Sequence, residues 1–176
     1  MECSGEEGLV AAQDAGQGLP EEQLRALLPR TWHAFFGRFG RLRPIQRVAI
    51  PDIVSGRCVL VQAPTATGKT EALMAPLVER LLSQPPSPQV GGLVIAPTRA
   101  LCNDLRRRLA APLQRCGLSF AVKTADSKEA ARSSLARILI TTPESLDSLL
   151  ARRAGELRSL QWLFLDELHL LSTVAR

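Results

Sequence analysis

The sequence contains no tyrosine, and its aromatic residues amount to only 4%. Leu, Val and Ala must therefore do most of the packing, in a chain whose 45% apolar content is ample for a core. No run approaches the ~18 consecutive apolar residues that a membrane-spanning helix requires. No basic stretch leads into an apolar one at the N-terminus, so a secretory signal is not expected and the cytoplasm is. Close cysteine pairs are missing as well. Cys3, Cys58, Cys102 and Cys116 show no CxxC spacing, which argues for reduced, partly buried thiols over a metal or disulfide framework. Residues 1–23 hold no base at all. They carry Glu2, Glu6, Glu7, Asp14, Glu21 and Glu22, a net −6, while the remainder sets 22 bases against 11 acids, a net +11. A basic body suits a polyanionic partner, because each neutralised phosphate releases counterions. Nineteen of the bases are Arg and three are Lys, a skew that composition alone can produce, so charge by itself decides little.

The length of 176 residues fits one domain, since a single core serves ~100–200 residues. Residues 1–22, rich in Gly, Glu and Gln and without hydrophobic period, read as a disordered acidic leader. The folded domain is expected over 23–176. There, short apolar runs alternate with segments of helical spacing, the pattern of an α/β fold with a parallel sheet flanked by helices. The runs are Cys58–Gln62, Gly92–Ala96, Phe120–Thr124, Ile138–Thr141 and Trp162–Leu165. Several lack alternation, as strands buried on both faces do. Leu73, Leu77 and Leu81 form an i, i+4 stripe after the first run, and Leu101, Leu105, Leu109 and Leu113 do so after the second. Pro76 falls inside the first of these helices, where a kink and a cost of ~3 kcal/mol are expected. Residues 84–89, with three prolines, read as a surface loop.

The strongest local signal is Val61-Gln62-Ala63-Pro64-Thr65-Ala66-Thr67-Gly68-Lys69-Thr70. It follows a strand-like run and opens a helix, the setting a phosphate loop requires. Backbone N–H groups from Ala63 through Thr65, Ala66 and Thr67 to the helix start can point at phosphate oxygens, where the helix dipole favours negative charge. Gly68 lets the backbone approach without a Cβ in the way. Lys69 can reach the β- and γ-phosphates of ATP, and the Thr70 hydroxyl can bind Mg²⁺. The general motif G-x-x-x-x-G-K-[ST] is not met in full, since Ala63 stands in place of its first Gly. A lone Gly-Lys-Thr can also be a mere helix start on a surface loop.

Corroboration comes 97 residues past Lys69, where Trp162-Leu163-Phe164-Leu165 runs into Asp166-Glu167-Leu168-His169. Parallel sheets bind ligands beyond the carboxyl ends of their strands, and both the loop and the acidic pair follow such ends. Two adjacent carboxylates need a reason to stay ionised, and Mg²⁺ supplies one. Asp166 is therefore the expected metal ligand beside Thr70. Glu167 is the expected base that orients or deprotonates the attacking water, so that Lys69, Asp166 and Glu167 form the catalytic set.

These residues resemble the DEAD/DEAH-box (DExH) helicases of superfamily two, closest to the Lhr-like and Ski2-like groups. Ala63–Glu71 is similar to motif I, in which Ala commonly opens the loop, and Asp166–His169 is similar to motif II. Ala96-Pro97-Thr98-Arg99-Ala100-Leu101 resembles motif Ia, Thr141-Thr142-Pro143-Glu144-Ser145-Leu146 motif Ib, and Arg43-Pro44-Ile45-Gln46 the Q motif. The resemblance implies an N-terminal RecA-like ATP-binding lobe and, for the full motor, ATP hydrolysis coupled to strand translocation or unwinding. It implies that Gln46 reads adenine, and that Pro97, Thr98, Arg99, Thr142 and Pro143 line the path of a single- or double-stranded nucleic acid, DNA or RNA. It also implies that His169 couples the two sites. An aromatic ahead of the Q motif often stacks on adenine in relatives, but Trp32, Phe35, Phe36 and Phe39 read first as a hydrophobic helix packed on the sheet. Ala66 stands where many members have Gly, and Thr124-Ala125-Asp126 where relatives have Thr-Gly-Asp. The sequence stops at Arg176, soon after motif II, so the Ser-Ala-Thr motif, a second RecA-like lobe and its arginine fingers are expected outside it. Two other readings stay open. A small P-loop kinase or GTPase would want a base signature such as Asn-Lys-x-Asp, which is absent. A non-catalytic module that binds nucleic acid or a partner would keep the fold without the turnover.

Overall fold

The computed structural model describes residues 8–11 (by their backbone), 18–39, 41–124 and 136–170. The chain divides into two compact units, 1–84 and 85–176, and the boundary falls in the proline-rich loop.

In the first unit, β1 (Gly8–Ala11) pairs in parallel with β2 (Val59–Gln62). Residues 8–11 therefore differ from the leader without regular structure that was expected there. Gly-Leu-Val-Ala is a short apolar run diluted by its acidic and Gln-rich flanks, and its partner lies far along the chain. The expected leader also gives up its last acids: Glu21 and Glu22 open α1 (Glu21–Leu27), where the positive end of the helix dipole favours them. α2 (Trp32–Phe35) follows, then α3 (Pro44–Ser55), begun by a proline at its first position. α4 (Lys69–Leu82) runs through Pro76 as one helix.

The core here is built at helical spacing. Ile45, Ala49 and Ile53 of α3 pack on Ala72 of α4, with Val59 and Val61 of β2 against them. A second tie is polar. Glu79 of α4 is 4% exposed, and its carboxylate accepts from the backbone N–H of Arg30 and of Thr31, from the Thr31 hydroxyl and from the Arg30 guanidinium. A buried carboxylate is tolerated only with such partners, so Glu79 fixes the start of α2 onto α4. Trp32, Phe35 and Phe36 are buried, as the packing reading requires, whereas Phe39 is 43% exposed. Cys58 is disulfide-bonded, which departs from the expectation of reduced thiols. Cys102 and Cys116 are free.

The second unit is a four-stranded sheet, all parallel, in the order β4 (Phe120–Lys123), β5 (Ile138–Thr141), β3 (Gly92–Ile95), β6 (Trp162–Leu165). The two inner strands are buried throughout, matching their unbroken apolar sequences. β6, at the edge, alternates: Trp162 and Phe164 are buried, Leu163 and Leu165 exposed. Trp162 is in register with Gly92, and a Cβ at Gly92 would fall on its indole ring. α5 (Arg99–Arg115) buries Cys102, Leu105, Leu109 and Leu113, and α6 (Pro143–Arg153) buries Leu149 among Val90, Leu93, Ile95 and Leu139. The Ala125-Asp126 turn expected after β4 lies outside the described residues, as do 1–7, 12–17 and 171–176.

Candidate active site

The phosphate-loop sequence in the first unit is a turn between β2 and α4 held by its own neighbours. Two residues take the left-handed backbone: Gly68 at φ +84°, which suits glycine, and Ala66 at φ +60°, which does not. The sterics that make Gly common at that position are thus visible in Ala66. A Cβ at Gly68 would fall on the Gln46 side-chain amide. Lys69 opens α4 and bends back over the loop, with Nζ donating to the carbonyl of Ala63 at 2.5 Å and of Pro64 at 3.3 Å. The Thr67 hydroxyl donates to the Pro64 carbonyl at 2.7 Å. Thr70 is buried in the first turn of α4, while Ala63 is half-buried and Thr65 and Ala66 are exposed.

Gln46, on the first turn of α3, is 4% exposed and joined to this loop. Its Oε1 accepts from the Arg43 backbone N–H at 2.9 Å, and its Nε2 donates to the Gly68 carbonyl at 3.2 Å. A side-chain amide has two lone pairs and two hydrogens, so each group can make one further bond. Arg43 is a loop residue that the sequence did not single out for a role. Its guanidinium donates to the Ala66 carbonyl at 2.7 Å, and the signal was its place three residues ahead of Gln46 at a helix start.

In the second unit the strand ends are level. Ile95, Thr141, Lys123 and Leu165 are in register, so the segments after β3, β5 and β6 leave from one edge of the sheet. The Asp166 N–H continues the ladder to the Ile95 carbonyl at 2.9 Å. Asp166 and Glu167 are half-buried, and Glu167 holds the left-handed region at φ +50°. For a residue with a Cβ this is an uncommon and costly conformation of the kind that gathers at functional sites. His169 is exposed, with Nδ1 3.4 Å from the Glu167 carboxylate, an ion pair when the ring is protonated.

The remaining predicted residues sit at helix starts on the same edge. Thr98 caps α5, its hydroxyl accepting from the Leu101 N–H at 3.3 Å, and Thr98 and Arg99 are exposed. Pro97 and Thr142 are buried, the Thr142 hydroxyl donating to Ser145, and Pro143 takes the first position of α6. Of the five, then, Thr98, Arg99 and the exposed part of Pro143 offer side-chain surface. Behind them, burial pushes the Cys102 thiol up to about 11, and the Asp166 charge adds to it.

The model of the DEAD/DEAH box helicases matches residues 43–176, three quarters of the sequence. The chain belongs to this family. ATP-dependent helicase Lhr-Core of Sulfolobus acidocaldarius is 32% identical over a stretch covering 89% of this chain and 20% of that protein. ATP-dependent helicase Lhr-Core protein 2 of Thermococcus barophilus is 34% identical, covering 81% and 19%. Among solved structures, a hypothetical ATP-dependent RNA helicase from Sulfolobus tokodaii shares the fold at a TM-score of 0.68 and 23% identity, covering 89% of this chain and 44% of that one. The fold is that of the RecA-like helicase lobe. This DEAD/DEAH-box chain spans about a fifth of the length of the Lhr-Core relatives it matches. Among its described residues, no helix is long and apolar enough to cross a membrane.

Proposed function

We propose that the chain is the ATP-binding lobe of a motor that couples ATP hydrolysis to movement along nucleic acid or separation of its strands. One observation carries this reading. Residues 63–70 form a strand-to-helix turn with two left-handed residues, and Lys69 occupies the first turn of the helix, its ammonium held against loop carbonyls. That ammonium is bonded to neutral carbonyls, which a phosphate would outbid because it adds the attraction of a full opposite charge.

Lys69 then binds the β- and γ-phosphates, with the N–H groups of 65–70 and the dipole of α4 around them. Gln46 holds the loop with one bond from each amide group and reads adenine with the second. Phe39 is the one of the four upstream aromatics with its ring exposed, and it supplies the stacking face; Arg38 already stacks on it at 4.7 Å. The Thr70 hydroxyl and the Asp166 carboxylate are each a hard oxygen donor of the kind Mg²⁺ takes, and these residues would hold an ion that would neutralise charge on the phosphates. Glu167 accepts a proton from the attacking water, and His169, 3.4 Å from it, is the residue through which the acidic turn senses the strand.

Thr98, Arg99, Thr142 and Pro143, with Pro97 beneath, form the strand path. Two helix starts and one guanidinium on a single sheet edge are phosphate ligands without a base-reading element. Binding is accordingly indifferent to sequence and steeply salt-dependent. A second RecA-like lobe supplies arginine fingers, which are worth roughly 10³–10⁵ in rate in related phosphate-loop enzymes. The 176-residue chain by itself binds ATP feebly and turns it over slowly.

The test is Lys69→Ala. Losing one or two charge-assisted bonds of about 1.5–3 kcal/mol each weakens ATP binding by roughly 10-fold to more than 100-fold. Nucleotide titration of the folded variant measures this, and unchanged affinity would reject the loop as the phosphate site.

A further inference from the structure

Arg43 stands at the cap position of α3, where it breaks a local preference. Helix starts favour Ser, Thr, Asp or Asn, whose side-chain oxygen accepts from an N–H of the first turn. A guanidinium only donates and cannot do so. The Arg43 side chain goes elsewhere: it reaches the phosphate loop, where its guanidinium donates to the Ala66 carbonyl at 2.7 Å. Its stem crosses the loop on the way. A Cβ at Gly68 would meet the Arg43 Cδ at 3.2 Å, so one side chain spans both left-handed residues of the turn.

The near end of this strut is fixed. Pro44 confines the residue before it to extended backbone, and Arg43 lies at φ −80°, ψ 153°. Its N–H donates to the Gln46 Oε1 at 2.9 Å. The far end acts on a strained residue. At φ +60° the Ala66 Cβ is crowded against a carbonyl oxygen, a clash that glycine lacks. Untied, an alanine there relaxes toward negative φ, and the 66–67 peptide rotates with it. A charge-assisted bond to the Ala66 carbonyl opposes that rotation. C=O and N–H point opposite ways across a planar trans peptide, so the same bond fixes the direction of the Thr67 N–H, away from the guanidinium. Arg43 and Ala66 are both exposed, so the bond adds little to the core; what it fixes is the loop.

We infer that Arg43 is a positioning residue for the triphosphate: it holds the 66–67 peptide in the orientation that binds, against the preference of Ala66. The inference rests on residues 63–70 being the phosphate site. With glycine at position 66 the left-handed turn needs no tie, so the contribution of Arg43 depends on the alanine.

The experiment is a double-mutant cycle on the full chain, read as ATP affinity by nucleotide titration, with circular dichroism to show that each variant is folded. Arg43→Met keeps the stem over Gly68 and removes the donors. In the parent it is expected to weaken ATP binding roughly 3- to 10-fold, the worth of one hydrogen bond. In the Ala66→Gly background the same change is expected to cost about twofold or less. Arg43→Ala, which removes the stem as well, is held to the same two comparisons. Unchanged affinity in the Arg43 variants, with Lys69→Ala still weakening it, overturns the inference and leaves the phosphate site standing. Equal losses in the two backgrounds also overturn it, since Arg43 then acts on the nucleotide itself or on the fold at large. Unchanged affinity for both Arg43→Met and Lys69→Ala removes the phosphate site and the inference together.

Discussion

The phosphate loop and the acidic turn both follow the carboxyl end of a parallel strand, yet they are held in different ways. Residues 63–70 are laced by side chains: Lys69 on Ala63 and Pro64, Thr67 on Pro64, Arg43 on Ala66 and Gln46 on Gly68. Every one of these bonds ends on a loop carbonyl. The acidic turn carries backbone bonds, the ladder bond from Asp166 to Ile95 and the bond from the Leu170 N–H to the Glu167 carbonyl, with the Glu167–His169 contact beside them. The loop's geometry therefore depends on residues that a ligand can displace. The turn inherits its geometry from the sheet and needs no ligand to keep it.

The largest effect that would sharpen this contrast belongs to the turn. In a longer form carrying a second lobe, Glu167→Gln should retain Mg²⁺-ATP binding and lose about 10²–10⁴ in turnover, the usual worth of a general base. Because the backbone holds the turn, the amide takes the carboxylate's place without rearrangement. Steady-state hydrolysis at the original rate would assign the base elsewhere.

In the loop, by contrast, a backbone change should be felt at once. Gly68→Ala sets a Cβ at φ +84° and onto the Gln46 amide, a strain of roughly 1–3 kcal/mol. Ala66→Gly should act in the opposite sense. It relieves a left-handed alanine at about 1–2 kcal/mol and gives back roughly 0.4–1 kcal/mol as unfolded-chain entropy. Denaturant midpoints for the two variants should move to opposite sides of the parent. If they move together, the loop's conformation is not what the two residues report.

Much of this was legible in the sequence, and the pattern of what was not is instructive. Ile138–Thr141 and Trp162–Leu165 match their strands to the residue, because in each the apolar run itself is the buried strand. Three others fall one residue short at one end, β2 at its start and β3 and β4 at their finish. β1 was hidden, since four apolar residues in polar surroundings carry no period and their partner is remote. The roles of Gly68 and Ala66 could be read from type and position. The left-handed backbone of Glu167 could not, because nothing in its residue type calls for it.

The smallest effect joins the turn to its surroundings. Cys102 is fully buried on α5, and its thiol, raised to about 11 from an ordinary 9, favours the neutral form in the folded state. Stability from this group is present in full below pH 9 and is lost as pH rises from there through about 11. Because the Asp166 charge contributes to the shift, Asp166→Asn should make Cys102 ionise at lower pH, as thiolate absorbance during an alkaline titration would show. An identical titration curve in the variant would mean that burial alone raises the thiol.

The absence of tyrosine acquires a use from where the two tryptophans sit. Trp32 is buried in the first unit, 5.5 Å from Phe36, and Trp162 in the second, its indole laid over Gly92 four residues ahead of Asp166. Each unit thus carries a single intrinsic fluorophore, and no phenol emission overlaps either. Replacing one tryptophan at a time with phenylalanine gives each unit its own optical channel. Trp32 then follows the half with the phosphate loop, and Trp162 the half with the acidic turn. The two halves of the lobe can be watched separately as nucleotide is added, without attaching a dye.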